Sequence, residues 1–304
     1  MLKLGVIGVG VMGRNHARVY SELPDVELIA VADVDKELAI SVAESYNCKA
    51  YANYKDLLGE NLDAVSIAVP TTLHKRVALD AIEKRINVLV EKPIADTVKN
   101  ADEIIEAARQ EGVKLMVGHV ERFNPVITTI KENIANLQVV SIDITRVGPL
   151  PPRIKDVGVV VDLAIHDIDL IHYLANSEFK RVYGLTSKSI FEHEDTATLS
   201  FEMENGILAH ITVNWLTPFK VREINVATTE KFIKGWLIDQ KVCEYSKYQE
   251  DNSYVAKELN VSRAEPLKVE LVKFIECIKN DEEPPITGQD GLKALEIAML
   301  CLKK

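Results

Sequence analysis

The chain has 304 residues, 47% of them apolar and 27% charged, with 46 acidic against 36 basic side chains and a formal net charge of -10. This size and composition suit two globular domains and exclude a disordered chain, and an acidic balance with both signs interspersed excludes the basic stripe that nucleic-acid phosphates require. No apolar run reaches transmembrane length, the glycine-interrupted stretch from Met1 to Gly8 lacks a signal-peptide layout, and Cys48, Cys243, Cys277 and Cys301 have no CxxC or other metal-ligand spacing, so a cytoplasmic protein with reduced thiols, no membrane partner and no metal is expected.

In the first third, β-branched apolar runs at Lys3 to Ile7, Glu27 to Ala32, Ala64 to Val69, Asn87 to Val90 and Lys114 to Val117 read as strands. Their lack of alternation marks burial on both faces. Amphipathic stretches at Asn15 to Leu23, Lys36 to Tyr46, Leu73 to Lys84 and Val98 to Gln110 lie between them, the last opening after Thr97 as an N-cap. Strand and helix in repetition predict an α/β fold, an N-terminal Rossmann doubly wound parallel sheet over residues 1–118.

After Gly118 the pattern changes. Ile207, Ala209, Ile211, Val213 and Trp215 alternate with Leu208, His210, Thr212 and Asn214, as in a strand with one covered face. Glu204-Asn205-Gly206 joins this strand to Thr196 to Met203 through a turn expected to be type I′. Helices are expected at Val161 to Leu174 and Leu267 to Lys279, and a last one from about Gln289 to Lys303 could pack back on the first domain. Residues 119–304 thus read as an α+β domain for substrate binding and oligomerisation, built on a large, predominantly antiparallel open sheet.

Gly8, Gly10 and Gly13 form a GxGxxG turn directly after the first strand, with Val11 and Met12 opening the first helix. Such a turn lets backbone approach a pyrophosphate, whose charge the helix N-terminus stabilises. Asp33, ending the second strand 20 residues after Gly13, can accept hydrogen bonds from the adenosine ribose and would repel a 2′-phosphate; Val34 follows it rather than an arginine. NAD is therefore expected in preference to NADP, and nothing else points to a flavin. The alternative is a plain turn without a ligand.

Glu91-Lys92-Pro93 ends the fourth strand, at the sheet edge where ligands bind in doubly wound folds. An ammonium there can stabilise the alkoxide that develops during hydride transfer, although a surface ion pair would explain the same residues. Asp162 and His166 stand four apart on one predicted helix face, as a carboxylate and a general base serving one substrate, or as a cap and a buried hydrogen-bonded imidazole. His166, Asp169 and His172 do not read as a metal site, because successive steps of three rotate the last ligand about 60° away.

Together GVIGVGVMGRNH (Gly5 to His16), VADVD (Val31 to Asp35), VLVEKP (Val88 to Pro93), GHVERFNP (Gly118 to Pro125), VDLAIHDIDL (Val161 to Leu170) and ITGQDGLKALEIAM (Ile286 to Met299) resemble the Gfo/Idh/MocA oxidoreductase family over essentially the whole chain. The resemblance implies that Lys92, Asp162 and His166 are catalytic, with His166 as acid/base, and that the Lys92–Pro93 bond is cis. It also implies that Pro70, Thr71, His74 and Glu91 line the cofactor, and that the C-terminal sheet builds a homodimer or homotetramer.

Three departures from the family pattern stand out: Thr71 where asparagine is common, Arg85 where a helix-ending glycine is common, and Gly158 as the survivor of a glycine cluster. Arg122, Asn124, Arg153 and Lys155 are expected, by the same layout, on the substrate side, where cations suit an anionic sugar. The loop from Gly148 to Lys155 resembles that of members oxidising the 3-hydroxyl of UDP-N-acetylglucosamine. The expected reaction is transfer of hydride from a secondary hydroxyl of a sugar or nucleotide sugar to NAD. A free sugar or inositol is the alternative substrate, and a non-catalytic NAD-binding regulator the alternative of another class.

Overall fold

A computed structural model describes residues 1–150 and 157–303. The chain forms two compact units, Met1–His119 with Leu267–Lys293, and Val120–Pro266 with Ala294–Lys304. No helix among the described residues is long and apolar enough to cross a membrane.

The first unit runs β1 (Leu2–Ile7), α1 (Val11–Glu22), β2 (Val26–Ala32), α2 (Lys36–Tyr46), β3 (Lys49–Tyr51), α3 (Tyr54–Leu57), β4 (Ala64–Ile67), α4 (His74–Glu83), β5 (Asn87–Glu91), α5 (Val98–Glu111) and β6 (Leu115–Gly118). Its strands are all parallel, in the order β3-β2-β1-β4-β5-β6. The order reverses at β1, so the crevice beyond the carboxyl ends of β1 and β4 is where this topology accepts a ligand. Leu4, Val6, Val65, Ile67, Leu89 and Val90 are fully buried, as strands covered on both faces require. Local chemistry starts the helices where it was expected: the Asp35 side chain accepts from Leu38 N–H, and Thr97 from Asn100 N–H. The short β3 and α3 gave no usable periodicity.

The second unit contains α6 (Pro125–Ile134), β7 (Val139–Pro149), one π-helical turn at Val160–Ala164 running into α7 (Ile165–Ala175), and the strands β8 (Phe179–Ser187), β9 (Thr196–Met203), β10 (Leu208–Asn214), β11 (Leu216–Thr228), β12 (Lys231–Trp236), β13 (Lys241–Ser246) and β14 (Ala256–Leu259). These form an eight-stranded sheet, β14-β13-β12-β11-β7-β10-β9-β8, antiparallel except for β7 with β10. Ile144, Ile211, Leu199, Ile224 and Ile233 face the core shared with Ile127 and Ile130 of α6 and Ile168 and Ile171 of α7. On the other face Tyr183, Leu185, Leu208 and Phe232 stand exposed.

Two expectations are corrected. The β9–β10 turn is not type I′: Gly206 alone has positive φ, at 85°, and Gly206 N–H donates to Met203 carbonyl at 2.9 Å while Met203 N–H donates to Ile207 carbonyl at 2.9 Å. This is a three-residue loop whose glycine takes the left-handed position that follows a type I turn. The other correction is that the chain returns to its first unit, which a single boundary after residue 118 does not describe. Helix α8 (Pro266–Asn280) buries Leu271, Phe274 and Ile275 there. Helix α9 (Gly288–Cys301) begins in the first unit, where a Cβ on Gly291 would meet Val117 at 2.7 Å, and ends in the second.

Candidate cofactor and catalytic sites

In the first unit, the turn after β1 is shaped by what its glycines permit. Gly8 has φ +83°, and a Cβ on it would lie 2.6 Å from Ala68 carbonyl oxygen; a Cβ on Gly13 would collide with Gly8 carbonyl oxygen. Both therefore allow close backbone packing. A Cβ on Gly10, by contrast, would meet nothing within 4 Å, so that side of the turn is open. Helix α1 has no side-chain cap and no acidic residue in its first turn. Its leading N–H groups, those of Val11, Met12 and Gly13, are thus available to an anion, and this open cradle fits a dinucleotide pyrophosphate.

Asp33 is fixed beside this turn. Its Oδ2 accepts from Val9 N–H at 2.8 Å and its Oδ1 from Asp35 N–H at 3.0 Å. The carboxylate stays half-exposed with acceptor capacity remaining, while Val34 is 93% exposed.

The next loop, at the end of β4, carries Pro70 and Thr71, both at least partly exposed. His74 is different: its ring is buried, with Nδ1 2.8 Å from Pro93 carbonyl oxygen and Nε2 2.9 Å from Val69 carbonyl oxygen. Burial lowers its pKa, against the pull of both carbonyls and of Glu91. His74 therefore ties the end of β4 to the turn after β5 rather than offering its ring to a cofactor. In that turn the Lys92–Pro93 bond is cis. Glu91 is buried, its Oε1 paired with His16 Nε2 at 3.1 Å and its Oε2 accepting from Lys92 N–H at 3.2 Å. Burial raises the Glu91 pKa, but the hydrogen bond from His16 and favourable electrostatics with His16, Lys92 and His74 outweigh it and leave the group below its ordinary value. Lys92 itself is half-buried.

In the second unit, Asp162 lies within the π-helical turn and His166 is the second residue of α7. Such turns insert a residue into the helical ladder and are frequent at functional sites. Asp162 is buried and His166 half-buried. Gly158 leads into this turn because Glu194 sits where its Cβ would be; Val159 N–H donates to Glu194 carbonyl at 2.8 Å and Val160 N–H to its Oε1 at 3.3 Å.

Arg122 and Asn124 do not behave as substrate-facing groups. Arg122 is buried in a bidentate pair with Asp169, Nε–Oδ2 2.7 Å and Nη2–Oδ1 2.6 Å. Asn124 caps α6 by accepting from Val126 N–H and donates to Leu237 carbonyl at 3.2 Å. Burial in an apolar setting obliges both groups to find such partners. Arg153 and Lys155 lie outside the described residues.

A second buried network was not anticipated. Arg146 binds Asp167 through Nε at 2.8 and 2.9 Å and Glu121 through Nη1 at 2.7 Å. Burial pushes the Asp167 carboxyl up to about 6 against the opposing Arg146 charge. Opposite Arg146 in the sheet is Arg222, half-buried, whose Nη1 donates to the carbonyls of Val147 at 2.9 Å and Val221 at 3.0 Å. Burial and Arg146 depress its pKa to about 10, and Asp167, Glu121 and Asp162 partly restore it. The signal was present in the sequence: Arg146 shares parity with Ile142 and Ile144, and Arg222 with Ile224 and Val226, placing both cations on the covered face. His16 and Glu270 were also missed, each being a lone polar residue on an apolar helix stripe.

Comparison with known proteins agrees with this division. Residues 2–119 match the oxidoreductase family with an NAD-binding Rossmann fold, and residues 138–234 match the GFO/IDH/MocA C-terminal domain. The UDP-N-acetylglucosamine 3-dehydrogenase of Acidithiobacillus ferrooxidans is 31% identical over 232 residues, covering 76% of this chain and 72% of that protein. Its solved structure superposes with a TM-score of 0.92 at 26% identity, covering 98% of this chain and 96% of that one. The myo-inositol 2-dehydrogenase of Thermotoga maritima is 26% identical over 97% of this chain and 93% of its own length. With both of its characteristic domains present and a dinucleotide cradle opening the first, the chain belongs to the Gfo/Idh/MocA family of NAD-binding oxidoreductases and is a dehydrogenase.

Proposed function

We propose that the protein oxidises a secondary hydroxyl of a nucleotide sugar, the 3-hydroxyl of UDP-N-acetylglucosamine or a close relative, with NAD rather than NADP. The observation that carries the substrate is the likeness to the Acidithiobacillus enzyme in both sequence and fold. The cofactor preference rests on the half-exposed Asp33 carboxylate, which suits ribose hydroxyls and repels a 2′-phosphate.

In this reading the nicotinamide, when bound, accepts the hydride. Lys92 stabilises the alkoxide that develops on the substrate oxygen. His166 takes the hydroxyl proton, and Asp162 orients the sugar and favours the protonated imidazole that results. Arg222, half-buried and with Asp162 among the carboxylates that act on it, takes the place of Arg122 as a cation for an anionic substrate, and the charges of Arg153 and Lys155 suit the same substrate. The exposed face bearing Tyr183, Leu185, Leu208 and Phe232 forms a homodimer or homotetramer, and the protein works in the cytoplasm.

Inositol or a free sugar is the second reading, favoured by inositol dehydrogenases that match nearly the full chain. A panel of UDP-linked sugars, free sugars and inositols, read by NADH absorbance, separates them. Turnover confined to UDP-N-acetylamino sugars supports the first reading, and turnover confined to inositols replaces it with the second. NAD binding without turnover on any of them places the substrate outside the panel.

A further inference from the structure

Behind the turn at Glu91–Pro93 lies a group of side chains that the reaction does not use. His16 on α1, Glu91 on β5 and Glu270 on α8 each contribute an atom to a cluster within 4.8 Å, and all three are buried. Glu91 is fully engaged, by His16 Nε2 and Lys92 N–H. Glu270 has no exposure at all, and neither of its carboxylate oxygens has a hydrogen-bond partner among the described residues.

Two carboxylates this close in a dry interior cannot both ionise without a compensating charge. A divalent cation or a proton could supply it. His, Glu and Glu are suitable donors for a metal. A metal-bound imidazole, however, almost always donates its second N–H to a neighbour, and His16 Nδ1 is buried without such a partner among the described residues. The proton is the better fit. It belongs on Glu270, since Glu91 already accepts two hydrogen bonds that favour its ionised form.

We infer that Glu270 is held as a neutral carboxylic acid inside the His16–Glu91–Glu270 cluster and acts as a positioning residue, keeping the charged Glu91 seated beneath Lys92 N–H. Ionised Glu270 would repel Glu91 from His16 and from the Lys92 turn. Burial, with the adjacent Glu91 charge second, does raise the Glu270 pKa well above its ordinary value. The titratable groups around it are His16 and Tyr20 on α1 and Glu91 on β5, with Lys92 and His74 acting on Glu91. Tyr20 gives no competing proton, as its hydroxyl is bonded to Ser66 at 2.6 Å and burial raises its pKa. The inference is independent of which hydroxyl the enzyme oxidises.

The test is equilibrium unfolding of the full chain, wild type against Glu270→Gln and Glu270→Ala, across a pH series with EDTA present. A group whose folded pKa is raised contributes stability that is present below its unfolded value and lost as pH rises toward the folded value. The wild-type folding constant should therefore fall relative to Glu270→Gln by about tenfold per pH unit above about pH 4.3. NAD affinity of Glu270→Gln should stay within about twofold of wild type, because the neutral amide replaces a neutral acid. A wild-type to Gln ratio that does not change with pH overturns the inference. So does a divalent ion bound in stoichiometric amount to purified wild type and lost with Glu270→Gln, which would make the cluster a metal site. If the variants do not fold, a carboxyl-carbon NMR titration of glutamate-labelled wild type decides: a buried glutamate still protonated near neutral pH supports the inference, and all glutamates titrating at ordinary values contradict it.

Discussion

The glycine turn of the first unit and the buried ion pairs of the second are built from different material. The turn acts through main chain: Gly8 and Gly13 let backbone approach backbone, Gly10 leaves space, and α1 supplies uncapped N–H groups. The second unit's network is made of side chains, with Arg122 locked to Asp169, and Arg146 to Asp167 and Glu121, around the helix that carries His166. A main-chain site tolerates no added atom where backbones touch, whereas a network of buried charges tolerates no missing partner.

That contrast is most exposed by removing one partner of a buried pair. Asp169→Asn should destabilise the protein by about 3 to 5 kcal/mol, because the buried Arg122 then loses the charge of its bidentate partner. Denaturant unfolding measures it, and a loss below about 1 kcal/mol would mean that the pair behaves as a surface one.

Gly13→Ala should cost about 1 to 3 kcal/mol and distort the cradle, since its Cβ collides with Gly8 carbonyl oxygen. Gly10→Ala should leave stability within about 0.5 kcal/mol yet weaken NAD, because its added methyl points into the space proposed for pyrophosphate. Calorimetric titration with NAD, paired with melting curves, separates the two; equal NAD affinity in Gly10→Ala and wild type would dissociate the turn from the cofactor.

The smallest effect is expected at Arg85, which ends α4 at φ 58° where glycine would be unstrained. Its guanidinium pairs with Glu111 at 3.1 Å on the surface, a contact of little energy. Arg85→Gly should change stability by about 0.5 kcal/mol, in the stabilising direction unless the greater flexibility of the unfolded glycine chain cancels the relief of strain. A loss above about 1 kcal/mol would show that the ion pair matters more than the backbone.

The same contrast explains what could be read from the sequence. The turn, α1, β2 and Asp33 are local: strand, glycines, helix and acid follow one another, so spacing alone locates them. Thr97 and the alternation of β10 were legible for the same reason. Arg122 and Asp169 are separated by 47 positions, and neither shows in its own segment that it will be buried with the other. His16 and Glu270 come from opposite ends of the chain, and the return of α8 to the first unit that brings them together has no local signature. With Arg122, the sequence reading assigned to an anionic substrate a charge that tertiary packing pairs with Asp169.

In the proposed reaction Lys92 and His166 perform chemistry that NAD binding does not need. The direct measurement is turnover and NAD affinity together, for Lys92→Ala and His166→Ala against wild type, on the substrate identified by the panel. Turnover should fall by about 100-fold or more in each variant, with NAD still bound. Turnover near the wild-type rate in both variants would contradict the assignment and leave the dehydrogenase chemistry to other groups.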